Sequence, residues 1–134
     1  MIIHGGDFSG SFFQNNNSIL VDFTEYAHQQ IIATFEELQL ADQRRYLVDA
    51  YCGSGLFSVT CSEGFESVVG VEISADSVQY AIRNAKANNI ANASFITGSA
   101  DEIFKVVKTP PDRTALIIDP PRKVRIQTID IDQL

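Results

Sequence analysis

Residues 47–56 read Leu-Val-Asp-Ala-Tyr-Cys-Gly-Ser-Gly-Leu, and this stretch constrains the fold more than any other. A short apolar run closes on an acid and meets Gly53-Ser54-Gly55 at once. That is the pattern of a buried strand entering a tight turn and then a helix N-terminus. Glycines in such a turn let a ligand approach the backbone closely. A second apolar run, Ser67 to Val71, ends at Glu72. This is about 20 residues on, where folds of this kind place the acid that holds ribose hydroxyls. The pair of features points to a nucleoside-bearing ligand.

The rest of the chain alternates in the same way. Asn15-Asn16-Asn17-Ser18 caps a helix expected from Ile19 to Leu40, with Phe23, Ala27, Ile31 and Phe35 on one face. Strand 1 is expected at Tyr46–Tyr51, helix A at Leu56–Ser62 and strand 2 at Ser67–Glu72. Helix B follows over Ala75–Asn88, capped by Ser74, with Val78, Ala81, Ile82 and Ala85 as its apolar stripe. Strand 3 is expected at Ala93–Thr97, helix C at Ala100–Lys108 and strand 4 at Thr114–Ile118. This alternation predicts an α/β fold, a parallel sheet with helices on both faces. Ligands of such sheets bind outside the carboxyl ends of the strands. Asp49 to Gly55, Glu72, Gly98 to Asp101, and Asp119-Pro120-Pro121 all fall there.

Charge and cysteine content narrow the function classes. Ten basic against 17 acidic residues give a net charge of −7, which argues against this segment gripping a polyanion alone. Arg122, Lys123 and Arg125 form a small basic cluster. Two cysteines, Cys52 and Cys61, make neither a disulfide framework nor a metal site. No run reaches the roughly 18 apolar residues of a membrane span, and the N-terminus lacks a signal-peptide pattern. An intracellular, reducing setting is the expectation.

The ligand can be narrowed further. The dinucleotide fingerprint requires a third glycine where this chain has Ser58. Asp49 beside the turn would repel a pyrophosphate but suits a ligand carrying an ammonium or a sulfonium. S-adenosylmethionine carries both, and a ribose for Glu72. A phosphate-loop reading fails because no G-K-[ST] follows the turn.

Four blocks occur in order: Ser11-Phe12-Phe13-Gln14-Asn15-Asn16-Asn17, Asp49 to Phe57, Gly70-Val71-Glu72-Ile73-Ser74, and Asp119-Pro120-Pro121-Arg122-Lys123. With these blocks the chain, from about Gly10 to Lys123, resembles the RNA uracil-C5 methyltransferase family of class I S-adenosylmethionine-dependent enzymes. It is most similar to the fungal-type tRNA branch, which makes 5-methyluridine. The resemblance implies a Rossmann-like fold, a partial parallel sheet in the strand order 3-2-1-4 with flanking helices, and a cofactor-binding domain over residues 1–123, followed by a divergent tail over 124–134. It implies that Gln14 contacts the methionine end of the cofactor and that Tyr51 lies beside it. Gly53 and Gly55 would allow its close approach, with Asp49 in the same turn. Glu72 would bind the ribose, Ser99 would offer a polar contact after strand 3, and Asp119 would lie near cofactor and base. Leu56 departs from an Asn common in bacterial relatives.

The resemblance also sets a catalytic expectation. Members of the family add a cysteine thiolate to uracil C6 and then remove the C5 proton with a general base. The segments that carry those two residues have no counterpart here, so no catalytic residue is expected in this chain. Cys52 and Cys61 read as structural. The expected function is the S-adenosylmethionine-binding portion of a tRNA uracil-C5 methyltransferase, inactive alone. The partner of the intact enzyme is tRNA, bound weakly or not at all by this acidic segment. Two competing readings are a non-catalytic short form that binds cofactor or a partner, and a methyltransferase with another target. Arg122, standing where amine-methylating sites carry an aromatic after D-P-P, argues against the last. Strand 4 reads as an open apolar edge and a template for self-association.

Overall fold

A computed structural model describes residues 17–40 and 42–120. Gln14, the basic cluster and the tail therefore lie outside the described residues. The elements are α1 (Asn17–Glu37), β1 (Tyr46–Ala50), α2 (Leu56–Thr60), β2 (Ser67–Glu72), α3 (Ala75–Ala87), β3 (Ala93–Thr97), α4 (Ile103–Val106) and β4 (Thr114–Ile118). The four strands form one parallel sheet in the order β3-β2-β1-β4. The predicted fold class and strand order are those observed.

The two faces of the sheet are covered by different elements. On one, Phe35 of α1, Phe57 of α2 and Cys61 at the end of α2 pack with Phe65 of the following loop against Leu47 and Val68. On the other, Ile103 of α4 packs against Val48, Ala50 and Val71. Alternation along β1 thus sends Leu47 and Asp49 toward α2 and sends Val48 and Ala50 toward α4. β1 is buried at every position from Leu47 to Ala50. β4 is the edge among the described residues, with Leu116 and Ile118 exposed and Ala115 and Ile117 half-buried against the core.

Helix boundaries differ from the sequence reading where backbone geometry intervenes. α1 stops at Glu37 because Gln39 takes a left-handed conformation, φ 59°. Its N–H then donates to Glu36 O at 3.0 Å, and Leu40 N–H donates to Phe35 O at 2.8 Å. That pair of bonds satisfies carbonyls at the helix end. Asn89 ends α3 in the same way, through Ile90 N–H to Ala85 O at 2.9 Å. The expected helix C is divided into a 3-10 turn, Ala100–Glu102, and the short α4. Ser99 caps the turn, and Pro110-Pro111 with β-branched Val106 and Val107 disfavours continuation.

α3 holds the other departure. Its buried positions are Val78, Ala81, Asn84 and Ala85, whereas Ile82 is exposed. An asparagine with no accessible surface replaces an isoleucine as a buried member of the stripe. The reason is a partner, given below.

Candidate cofactor site at the carboxyl ends of the strands

The turn after β1 is built from left-handed residues. Tyr51, Gly53 and Gly55 have φ of 58°, 54° and 85°. Tyr51 tolerates this conformation while packing against the Val48–Ala50–Val71 cluster. The two glycines serve different ends. A Cβ on Gly55 would lie 3.1 Å from Ala81 Cβ and 3.3 Å from Phe95 Cε1, so this glycine brings α3 and β3 against the turn. A Cβ on Gly53 would meet nothing within 4 Å, and the same holds for Gly98 after β3. Those two glycines border open space.

Glu72 bridges two turns. Its Oε2 accepts from Gly53 N–H at 3.1 Å, and its Oε1 accepts from Ser74 N–H at 3.0 Å. Gly98 N–H in turn donates to Glu72 O at 3.0 Å, drawing the end of β3 to the same point. A carboxylate has about four lone-pair sites, so each oxygen can accept one further bond. Glu72 is half-buried, and the residue whose N–H it accepts, Gly53, borders open space on its Cβ side.

Asp49 sits deeper. It is 1% exposed, and one oxygen accepts from Ser58 Oγ at 2.6 Å and from Ser58 N–H at 3.0 Å. Gly55, at the N-cap of α2, has no side chain to satisfy that helix's first N–H groups. Asp49 does so from the neighbouring strand. Burial pushes its carboxyl up to about 7, the Ser58 bonds pull the other way, and the negative charges of Asp119 and Glu72 add to the rise. Asp49 at the end of β1 thus feels the carboxylates at the ends of β2 and β4. Asp119 is exposed just beyond β4.

The remaining expected residues divide. Ser99 lies next to Gly98, and its Oγ accepts from Asp101 N–H at 3.3 Å as a cap. Gln14 lies outside the described residues. The structure adds two residues that sequence reasoning missed. Ser58 had registered only as a missing third glycine. Asn84 stood hidden inside an apolar stripe, yet its Nδ2 donates to Ser54 O at 2.8 Å and holds the glycine turn. An asparagine among helix-spaced apolar residues was the available signal for it.

Both cysteines are poor nucleophiles. Cys61 is fully buried, and burial pushes its thiol up to about 11. Cys52 is shifted upward further by burial and by Asp49 and Glu72. Among the described residues no group of His, Cys, Asp and Glu is placed to hold a metal ion.

A parallel α/β sheet with an open glycine turn, a bridging acid on β2 and further acids at neighbouring strand ends defines a methyltransferase-type domain. A solved structure of this kind is the Pyrococcus abyssi tRNA (uracil-54, C5)-methyltransferase in complex with S-adenosyl-L-homocysteine. It superposes with a TM-score of 0.51 at 26% identity over 66% of this chain and 20% of that one. The Escherichia coli protein yhhF, titled a methyltransferase, shares the fold at a TM-score of 0.55 and 16% identity, covering 84% of this chain and 56% of its own. The chain belongs to the tRNA (Uracil-5-)-methyltransferase family, whose sequence pattern matches residues 4–123. It is 60% identical over 115 residues to the tRNA (uracil(54)-C(5))-methyltransferase of Schizosaccharomyces pombe, covering 86% of this chain and 22% of that enzyme. For the Saccharomyces cerevisiae enzyme of the same name the figures are 50% identity, 86% and 18%. The chain thus spans about a fifth of the length of these relatives.

Proposed function

We propose that this chain is the cofactor-holding part of a tRNA uracil-C5 methyltransferase, with residues 1–123 as the S-adenosylmethionine domain. The observation that carries the reading is the Glu72 carboxylate, held by backbone N–H groups of two turns, one of them the N–H of Gly53, whose Cβ side is open. Its unused lone pairs match a vicinal diol, the two hydroxyls of a ribose. Gly53 and Gly98 leave room for the nucleoside, and Tyr51 and Ser99 flank that room. Asp49 and Asp119 add negative charge suited to a cationic amino-acid end. Gln14 completes the set. Bound there, S-adenosylmethionine supplies an electrophilic methyl group. The residues of this chain bind and orient it, and Cys52 and Cys61 stay protonated in the wall.

The whole protein's substrate is tRNA uracil, as the names of the relatives suggest, and the setting is inside the cell where tRNA is found. The acidic balance of this chain, −7, predicts weak RNA binding by the segment itself. No helix among the described residues is long and apolar enough to cross a membrane. The β4 edge is expected to drive self-association, which light scattering of the chain and of Leu116→Lys would register as a concentration-dependent mass lost in the variant.

Calorimetric titration with S-adenosylhomocysteine tests the cofactor reading. Binding in the micromolar range by the wild-type chain, lost in Glu72→Ala with the fold intact, is the expected result. Folded wild-type protein that fails to bind would reject it.

A further inference from the structure

We propose that Ser58 is a positioning residue for the cofactor cradle: it fixes the Asp49 carboxylate behind the glycine turn, and that anion makes the cradle favour a sulfonium-bearing nucleoside over the neutral thioether. The inference rests on the S-adenosylmethionine reading above and deepens it.

The geometry is that of two wholly buried groups. Ser58 is 0% exposed and Asp49 1%. One serine gives a single carboxylate oxygen both its hydroxyl, at 2.6 Å, and its backbone N–H, at 3.0 Å. Charge-assisted bonds of this kind are the stronger class and favour the ionised form. They set the direction of the carboxylate as well, because Ser58 belongs to α2 and Asp49 to β1, on either side of the turn. A glycine in the third position, as in a dinucleotide site, would leave Asp49 with the N–H alone.

Among the described residues, the charged groups that act on Asp49 are acidic. Glu72 reaches it from β2 and Asp119 from the end of β4. Cys52 in the turn and Cys61 at the end of α2 both feel its charge, and both are held as neutral thiols. α3 presents the neutral amide of Asn84 to the turn. Among these neighbours no cation balances the carboxylate. A ligand that brings an added positive charge relieves the repulsion that Asp49 feels from Glu72 and Asp119, and one that lacks that charge does not. S-adenosylmethionine and S-adenosylhomocysteine differ in that respect, by the sulfonium. Their relative affinity should therefore follow the ionisation of Asp49, whose carboxyl burial pushes up to about 7.

The test is calorimetric titration of the full 134-residue chain with each of the two nucleosides between pH 5.5 and 7.5. The ratio of the S-adenosylhomocysteine Kd to the S-adenosylmethionine Kd is expected to rise about fivefold with pH in the wild type. In Ser58→Ala the ratio stays near its acid value across the window, because losing the hydroxyl raises the Asp49 carboxyl further. Ser58→Thr, which keeps the hydroxyl, restores the rise, and Asp49→Asn gives a flat ratio. Two results overturn the inference while leaving the cofactor reading intact: both ligands bind the wild type with a ratio that ignores pH, or Ser58→Ala follows the wild-type curve. Failure of both ligands to bind folded protein at any pH overturns the cofactor reading too. If Ser58→Ala does not fold, the wild-type slope and Asp49→Asn decide.

Discussion

The two ends of the sheet use polar groups in opposite ways. At the amino ends of β1 and β2 the polar atoms close on one another. Asn92 Nδ2 donates to Ser62 O and Phe65 O, both at 2.9 Å, and Arg45 Nε donates to Gly64 O at 3.2 Å while its guanidinium lies over the Phe35 ring. Glu66 N–H donates to Arg45 O at 2.8 Å, and His28 Nε2 bonds Glu63 O at 2.8 Å. The hollow there, lined by residues 42–45 and 64–66, is shallow and open. At the carboxyl ends internal bonds hold acids in place and leave acceptor capacity beside unfilled space. Polar groups whose partners are all internal mark structure, and acceptor capacity left beside two open glycines marks a candidate site.

The comparison can be broken most forcefully at Gly70. A Cβ there would lie 2.7 Å from Phe95 Cδ1 and 2.8 Å from Cys52 Sγ. Gly70→Val is expected to cost about 3 kcal/mol in chemical denaturation, the upper range for overpacking. A loss under 1 kcal/mol would show that the wall behind the turn is pliant.

Asp49 comes next, and its sign is opposite to that of a salt-bridged acid. Its ordinary pKa is 3.8 and its folded value about 7, so between these the folded state retains a proton that the unfolded chain has released. Stability therefore falls as pH rises from about 4 to 7 and levels off above that. Asp49→Asn removes this dependence while keeping an acceptor for Ser58. Thermal unfolding from pH 5 to 8 should show the variant gaining on the wild type by on the order of 2 kcal/mol. Parallel curves would place the Asp49 pKa near its ordinary value.

Asn92→Ala at the amino end should cost ~1–2 kcal/mol, since two buried carbonyls lose a donor, yet leave S-adenosylhomocysteine affinity unchanged. A change in affinity would erase the division between the two ends. Gly53→Ala sharpens it from the other side. The left-handed φ predicts a stability loss of about 1 kcal/mol. The added methyl points into open space, and affinity should fall about tenfold, as an overpacked contact would cause. The smallest effect belongs to Arg44→Ala. Its pairing with Glu66, at 3.7 Å with both side chains exposed, should change stability by less than about 0.5 kcal/mol.

Much of this was legible beforehand, for physical reasons that differ by element. β1 and β2 are buried over short apolar runs bounded by turn residues, and such runs carry a clear signal. The parallel arrangement followed from the strand–helix alternation, whereas the strand order came with the family resemblance. Helix ends were less legible. Gln39 in a left-handed conformation has no strong sequence marker, and a Ser-capped 3-10 turn reads the same as the first turn of an α-helix.

The sequence by itself determined the parallel α/β class, the glycine turn, the acid on β2 and membership of the tRNA (Uracil-5-)-methyltransferase family. Those features are local: each is written in a short run whose burial pattern or backbone freedom the residues themselves specify. The tertiary structure alone decided that Glu72 bolts two turns together, that Asn84 holds the Ser54 carbonyl across 30 residues, and that Asp49 is gripped by Ser58. The Gly53–Glu72 and Ser54–Asn84 bonds span 19 and 30 residues, and the Asp49–Ser58 bonds join a strand to the helix that follows it. Which donor meets which acceptor depends on helix rotation and strand register, and those are set only when the whole core packs.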